Sequence, residues 1–235
     1  MVASIWYPIP FLVLTVALLI RARERTPPDE RQLWLWKPLS TALVISVGVL
    51  SLTRPADAYD PTYTTLMLIG LGLSFVGDVL LIPQNNTRTF IGGLVAFLLA
   101  HLAYVAAFVY LHASRGFEYQ MITEIVNVGA LTLAAAVVYR YLSPDLGSLR
   151  VPVVAYLLVI SIMVHRALAI AFVHTGPVIQ PILIVLGALL FYVSDLILAV
   201  DRFRFHGQLP RGKRWNLSAY YLGQLFIALS ASFFA

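Results

Sequence analysis

The 235-residue sequence contains no cysteine, which removes disulfides, thiolate metal sites and a cysteine nucleophile from consideration. Charge is scarce too: Asp, Glu, Lys and Arg make up 11% of the chain against 60% hydrophobic residues, whereas soluble domains carry about a quarter charged residues. That balance excludes an ordinary water-soluble domain and leaves no stretch for a separate globular module. The net charge of +5 does not point to nucleic acid, because Arg and Lys sit in short groups beside apolar segments and form no basic stretch interleaved with aromatics. HExxH, HxxxH and GxSxG are missing, so neither a zinc-hydrolase helix nor a serine elbow can be read. The first apolar run, from residue 4 to residue 20, lacks a basic n-region and reads as a membrane span rather than a signal peptide.

What remains is a series of apolar runs, each near the ~20 residues needed to cross ~30 Å of hydrocarbon. They fall at about 4–20, 37–53, 66–83, 90–112, 121–141, 151–173, 178–200 and 216–234. Breakers separate them: Pro27 and Pro28, Pro55 and Pro61, Asn85 and Asn86, Pro144 and Gly147, Gly176 and Pro177. The fold class expected is all-α, a polytopic transmembrane bundle of eight helices forming one domain over residues 1–235, with short loops joining antiparallel neighbours. Thirteen Arg and Lys residues flank one side of these spans and only Arg54 and Arg115 the other. The excess marks the cytoplasmic face, so both termini are expected on the opposite side.

Eleven acidic residues are present, and only Asp78 and Asp195 lie well inside apolar runs. A carboxylate within a membrane is costly and by default marks a cavity, a partner or a functional site; the plainer alternative is a structural hydrogen bond to a neighbouring helix. Their surroundings match. With Asp78 laid on Asp195, Gly70 falls on Gly187, Phe75 on Tyr192, Val76 on Val193 and Val79-Leu80-Leu81 on Leu196-Ile197-Leu198. A parallel duplication of four plus four helices would produce this pattern, although small and apolar coincidences are frequent in membrane helices.

Each aspartate lies five residues before its span's cytoplasmic end, which places both roughly 7 to 8 Å inside that edge. Spans two, four and eight enter from the same side. They bring Lys37 to the interface, Tyr220, Tyr221 and Gln224 to the depth of the carboxylates, and His101 deeper. Taken singly, Lys37 reads as a snorkelling residue, the tyrosines as an aromatic belt and His101 as a packing residue. Ser74 and Ser194 sit beside the aspartates but also suit close helix packing. His165 and Arg166 fall in the outer half of span six and receive no role.

The same residues carry a resemblance. Lys37-Pro38, the run Gly70-Leu71-Gly72-Leu73-Ser74-Phe75-Val76-Gly77-Asp78-Val79-Leu80-Leu81, and then Phe90, Gly93, Phe97, His101 and Tyr104 resemble the YhhN, or lysoplasmalogenase-like, family. Gly187 through Ala199, with Tyr192-Val193-Ser194-Asp195 at its centre, and Tyr220 through Leu229, with Gly223-Gln224, are similar to its later motifs. Asp201 departs from the family's Asn, and Gly223 from its usual Ala.

The resemblance implies an eight-helix membrane hydrolase that cleaves the vinyl-ether bond of lysoplasmalogens to a fatty aldehyde and a glycerophospho-base, with Asp78 and Asp195 as its catalytic pair. Lys37, Ser74, His101, Tyr104, Ser194, Tyr221 and Gln224 are then expected to bind substrate, the tail passing His101 and Tyr104. No metal and no cofactor is expected, since acid catalysis suffices for an enol ether. The expected partners are a single-chain lipid and the bilayer, without nucleic acid. The membrane would be the inner membrane in a bacterium and the endoplasmic reticulum in a eukaryote. Two other classes fit the intramembrane aspartates: a proton-coupled transporter or lipid translocator, and a helix-assembly subunit.

Overall fold

The computed structural model describes residues 5–55, 58–83, 86–116, 120–171 and 178–234. Ser4, Asn85, Val173, Gly176 and Pro177, which the sequence assigns to span ends and turns, lie outside them. Among the described residues there are eight α-helices and no strands. They are α1 Pro8–Glu24, α2 Glu30–Ser51, α3 Pro61–Leu80, α4 Thr87–Ser114, α5 Met121–Leu142, α6 Arg150–Ala171, α7 Ile179–Ala199 and α8 Gly212–Ser230. The chain is an all-helical, multi-pass membrane protein, as composition requires. Six helices, α2 to α7, are long and apolar enough to cross a membrane. The 17-residue α1 and the more polar α8 are not among the six, yet both pack into the bundle, α1 against α2 and α8, and α8 against α7, α2 and α3.

Local chemistry sets the helix starts. Asp60 caps α3, its side chain accepting from the Tyr63 backbone N–H at 2.9 Å, with Pro61 in the first helical position. Asn86 caps α4 in the same way, accepting from the N–H groups of Arg88 and Thr89. Asp29 accepts from the N–H of Gln32 at 3.2 Å, so α2 begins at Glu30, a full turn and more before the expected residue 37. This shift matters: Lys37 lies inside a helix rather than at its mouth. Pro38 continues the helix without ending it, although it removes one backbone donor.

Two helix pairs are especially close, α3 with α4 and α7 with α8. At the second crossing, glycine permits backbone contact: a Cβ on Gly187 would stand 3.0 Å from the Gly223 carbonyl, and one on Gly223 2.9 Å from the Gly187 carbonyl. Gly223 thus brings α8 against α7 more tightly than an Ala would. Helix α5 is different. It packs against α6 and the segments around residues 143–145 and 200–204, and Leu142, its last residue, is its one buried side chain.

After α7 the chain passes through a wide helical turn, Val200–Arg204. The loop that follows contains positive φ angles at His206, Gly207 and Arg211. Asp201 holds this loop by accepting the Leu209 N–H at 2.8 Å on its carboxylate. An Asn side-chain oxygen would accept the same bond, so either residue at 201 can hold the loop.

Candidate active site

Helices α2, α3 and α8 converge on Asp78, whose side chain is 2% exposed. Lys37 and Thr41 stand one turn apart on α2, the spacing that puts two side chains on one face. The Lys37 ammonium lies 3.1 Å from Asp78 Oδ1 and donates to the Asp78 backbone carbonyl at 3.0 Å. Thr41 Oγ1 and the Tyr220 hydroxyl each donate to Asp78 Oδ2 at 2.6 Å. One carboxylate therefore accepts from one cation and two hydroxyls, an arrangement made of charge-assisted hydrogen bonds that suits a fixed anion.

Behind Tyr220 the polar chain continues into the bundle. Gln224 Nε2 donates to the Tyr220 hydroxyl at 3.3 Å, and Tyr104 donates to Gln224 Oε1 at 2.8 Å. Tyr221 is directed elsewhere, donating to the Lys37 carbonyl at 3.2 Å and lying 3.3 Å from Thr41 Oγ1.

Asp195, on α7, has a sparser environment. The Tyr156 hydroxyl of α6 donates to its Oδ2 at 2.5 Å. His101 Nε2 lies 3.7 Å from the same oxygen, beyond a hydrogen bond, and the imidazole packs against Phe191 and Tyr156 with ring centroids at 4.7 and 5.4 Å. Ser194, next in the chain, shares its hydroxyl and carbonyl with Asn216 Nδ2 of α8.

A cavity of about 130 Å³ joins the two aspartates. Asp78, Asp195, Lys37 and Ser194 all line it, so the two carboxylates that the sequence singles out face one space. Arg23, Arg202 and Lys213 add positive charge to the wall and Asp201 negative charge. Ser74, His101, Tyr104, Tyr221 and Gln224 are absent from its lining. They are buried behind it, and Tyr104, Tyr221 and Gln224 support the residues that do line it. Nor does a path for the lipid tail open past His101 and Tyr104, which are fully buried.

Thr41, Tyr156, Arg23, Arg202 and Lys213 are site residues that the sequence does not single out, and Tyr220, which it brings to the depth of the carboxylates, receives no contact with substrate there. Thr41 was signalled by its four-residue spacing from Lys37, and Tyr220 by the same spacing from Gln224. The Arg and Lys residues had been absorbed into topology. His165 and Arg166 form a separate cluster with Glu124 of α5, whose Oε2 lies 3.1 Å from His165 Nε2 and 3.2 Å from Arg166 Nη2. Among the described residues no three His, Asp or Glu side chains converge as metal ligands.

A family model matches residues 32–231, the region that holds every residue lining the cavity of the two aspartates except Leu19 and Arg23, and its description is YhhN family. The chain is 32% identical over 202 residues to a protein of Bos taurus called lysoplasmalogenase TMEM86A, a match covering 85% of this chain and 73% of the relative. It is 33% identical over 206 residues to the human lysoplasmalogenase TMEM86B, covering 87% and 78%. A Mycobacterium tuberculosis (strain CDC 1551 / Oshkosh) lysoplasmalogenase is 34% identical over 137 residues, covering 56% of this chain and 47% of that protein. No solved structure matches. The family model over residues 32–231 and the alignment with the mammalian relatives over most of the chain lead to one conclusion: this protein belongs to the YhhN family.

Proposed function

We propose that this protein is a lysoplasmalogenase, hydrolysing the vinyl-ether bond of a single-chain alkenyl phospholipid to a fatty aldehyde and a glycerophospho-base. One observation carries the reading: two carboxyl groups in unlike environments line a single cavity with cationic groups in its wall. The names of the relatives support it over 71 to 87% of the chain in the mammalian cases.

The chemistry assigns the carboxyl groups different tasks. Asp195, with a single hydroxyl donor, delivers a proton to the β-carbon of the enol ether, and the alkenyl carbon attached to oxygen becomes an oxocarbenium ion. Asp78, held by Lys37, Thr41 and Tyr220, serves as the fixed negative charge that stabilises this cation. Water then attacks the oxocarbenium carbon while Asp195, now a carboxylate, takes up the proton that water loses. The hemiacetal breaks its bond to the glycerol oxygen and yields aldehyde and alcohol, so that one water is consumed and the acid is regenerated. The logic is that of paired carboxylates at glycosidic bonds, and it needs only proton transfers.

Arg23, Arg202 and Lys213 supply the positive field for the phosphate. The charge asymmetry of the loops supports a cavity open to the cytoplasmic leaflet, with both termini on the other side. The membrane would be the inner membrane of a bacterium or the endoplasmic reticulum of a eukaryote.

The test is to incubate the purified protein with a lysoplasmalogen and with its saturated-ether analogue, following aldehyde. Aldehyde is expected from the first only. Asp195→Asn is expected to abolish release while leaving membrane insertion and the melting profile intact; near-normal turnover by that variant refutes the acid assignment.

A further inference from the structure

The headgroup cavity has an apolar neighbour. A cleft of about 40 Å³ between α4, α6 and α7 shares Phe90, Asp195, Leu198 and Arg202 with it. Asp195 therefore stands in the partition between a charged space and an apolar one. Tyr156, its hydroxyl donor, also lines the cleft. The rest of its wall is apolar, through Leu94, Val153, Leu157, Ile160 and Phe203.

Leu157 belongs to a third space as well. It lines a groove of about 880 Å³ among α4, α5 and α6, which is apolar through Val128, Ala135, Ala136, Leu158 and Ile162 and ends at His165 and Arg166. That far end is where Glu124 pairs with both. From Val154 to His165 the groove follows α6 for eleven residues, about 16 Å at the helical rise. This is close to half of the ~30 Å hydrocarbon core, the depth that one leaflet's chains occupy. An apolar cavity of roughly 150 Å³ accepts a benzene ring, so a groove several times larger has room for a long hydrocarbon chain.

Resting on the lysoplasmalogenase reading, we infer that the substrate's alkenyl chain leaves the headgroup cavity past Asp195, crosses the cleft beside Leu157 and lies in the α4/α5/α6 groove. The vinyl ether then spans the partition, with its β-carbon on the apolar side and beside Asp195. The Glu124, His165 and Arg166 cluster closes the groove, because a methylene chain gains nothing by meeting polar and charged groups. Leu157 and the small residues of α5 thus determine which chains are accepted.

Two measurements on the full-length protein test this path. In the first, a saturated-ether lysophospholipid with a diazirine near the middle of its chain is photo-crosslinked to the protein in lipid nanodiscs, and the labelled peptides are mapped. Label on α5 around Ala135 and on α6 between Val154 and Ile162 supports the path. Label confined to α1, α2 and α8 overturns it.

In the second, Ala135→Trp, on the half-buried side of α5, fills the groove without touching either aspartate. It is expected to lower kcat/KM for a long-chain alkenyl lysophospholipid by about tenfold relative to a short-chain analogue, the equivalent of the burial of two methylenes. An unchanged ratio overturns the path. If the wild-type protein labels in the groove but releases no aldehyde, the path is supported and the hydrolase reading fails. Aldehyde release with label elsewhere and an unchanged ratio does the opposite.

Discussion

Lys37→Met isolates what the buried ion pair contributes. Asp78 and Lys37 have side chains only 2% and 14% exposed, so solvent does little to replace the lost ammonium. Removing one partner of a buried pair typically costs about 3–5 kcal/mol, since the remaining charge is left in a medium that solvates it poorly. Here Thr41 and Tyr220 still donate at 2.6 Å, which places the expectation at the lower end, about 3 kcal/mol. For a chain of this size each kcal/mol moves the melting temperature by about 2–4 °C, which gives a fall of roughly 6–12 °C.

The double variant Lys37→Met with Asp78→Asn replaces the pair by neutral groups and should recover much of that loss, because the stranded charge is gone. Thermal unfolding in mild detergent, followed by tryptophan fluorescence, measures both; Trp34 and Trp36 lie on α2 close to the substitution. Thiol-reactive dyes have nothing to label in this chain. A Lys37→Met protein melting within 2 °C of wild type, or a double variant less stable than the single, would show that the pair does not hold α2 to α3.

Among the described residues the Tyr156 hydroxyl is the one hydrogen-bond donor to the Asp195 carboxyl. Tyr156→Phe should lower kcat about tenfold to a hundredfold, the worth of a hydrogen bond to a charged group, with KM little changed; an unaltered kcat means that Tyr156 does not orient the acid. Gly187→Ala puts a Cβ 2.8 Å from Ile227 Cγ1 and 3.0 Å from the Gly223 carbonyl, and should destabilise the protein by about 1–3 kcal/mol. Gly129→Ala on α5, where a Cβ meets nothing within 4 Å, is the control, and equal melting temperatures for the two would contradict a tight α7/α8 crossing.

The aspartates were legible because each is the sole acid in a long apolar run, and lipid makes such a residue conspicuous. The positions of their partners were not, because a helix's rotation about its axis is fixed by packing rather than by its own sequence. Tyr220 and Tyr221 differ by about 100° of that rotation; the sequence favoured Tyr221, while the Gly187 and Gly223 contact turns Tyr220 toward Asp78. Thr41 resembles any small polar residue of a membrane helix until Lys37 is known to face inward. The sequence sets Lys37 at the start of its span but does not show that the Asp29 cap begins α2 seven residues earlier, or that packing turns the ammonium onto Asp78. Arg23 and Arg202 were counted as topology signals, a use that conceals where their side chains go. The position of α5 was hidden for another reason: a helix apolar all round gives no stripe to say which face meets the bundle.

That helix has a consequence for traffic. With Leu142 as its one buried side chain and the Glu124–Arg166 ion pair to α6, α5 is fastened near its two ends, and little buried surface resists widening between them. A molecule lying under α5 is beside the bilayer along its whole length. An aldehyde released there, having lost its polar head, can slip sideways into the membrane without ever dissolving in water, while the headgroup alcohol departs through the charged mouth. The two products would leave by different phases, and an assay that samples the aqueous phase alone would recover only one of them.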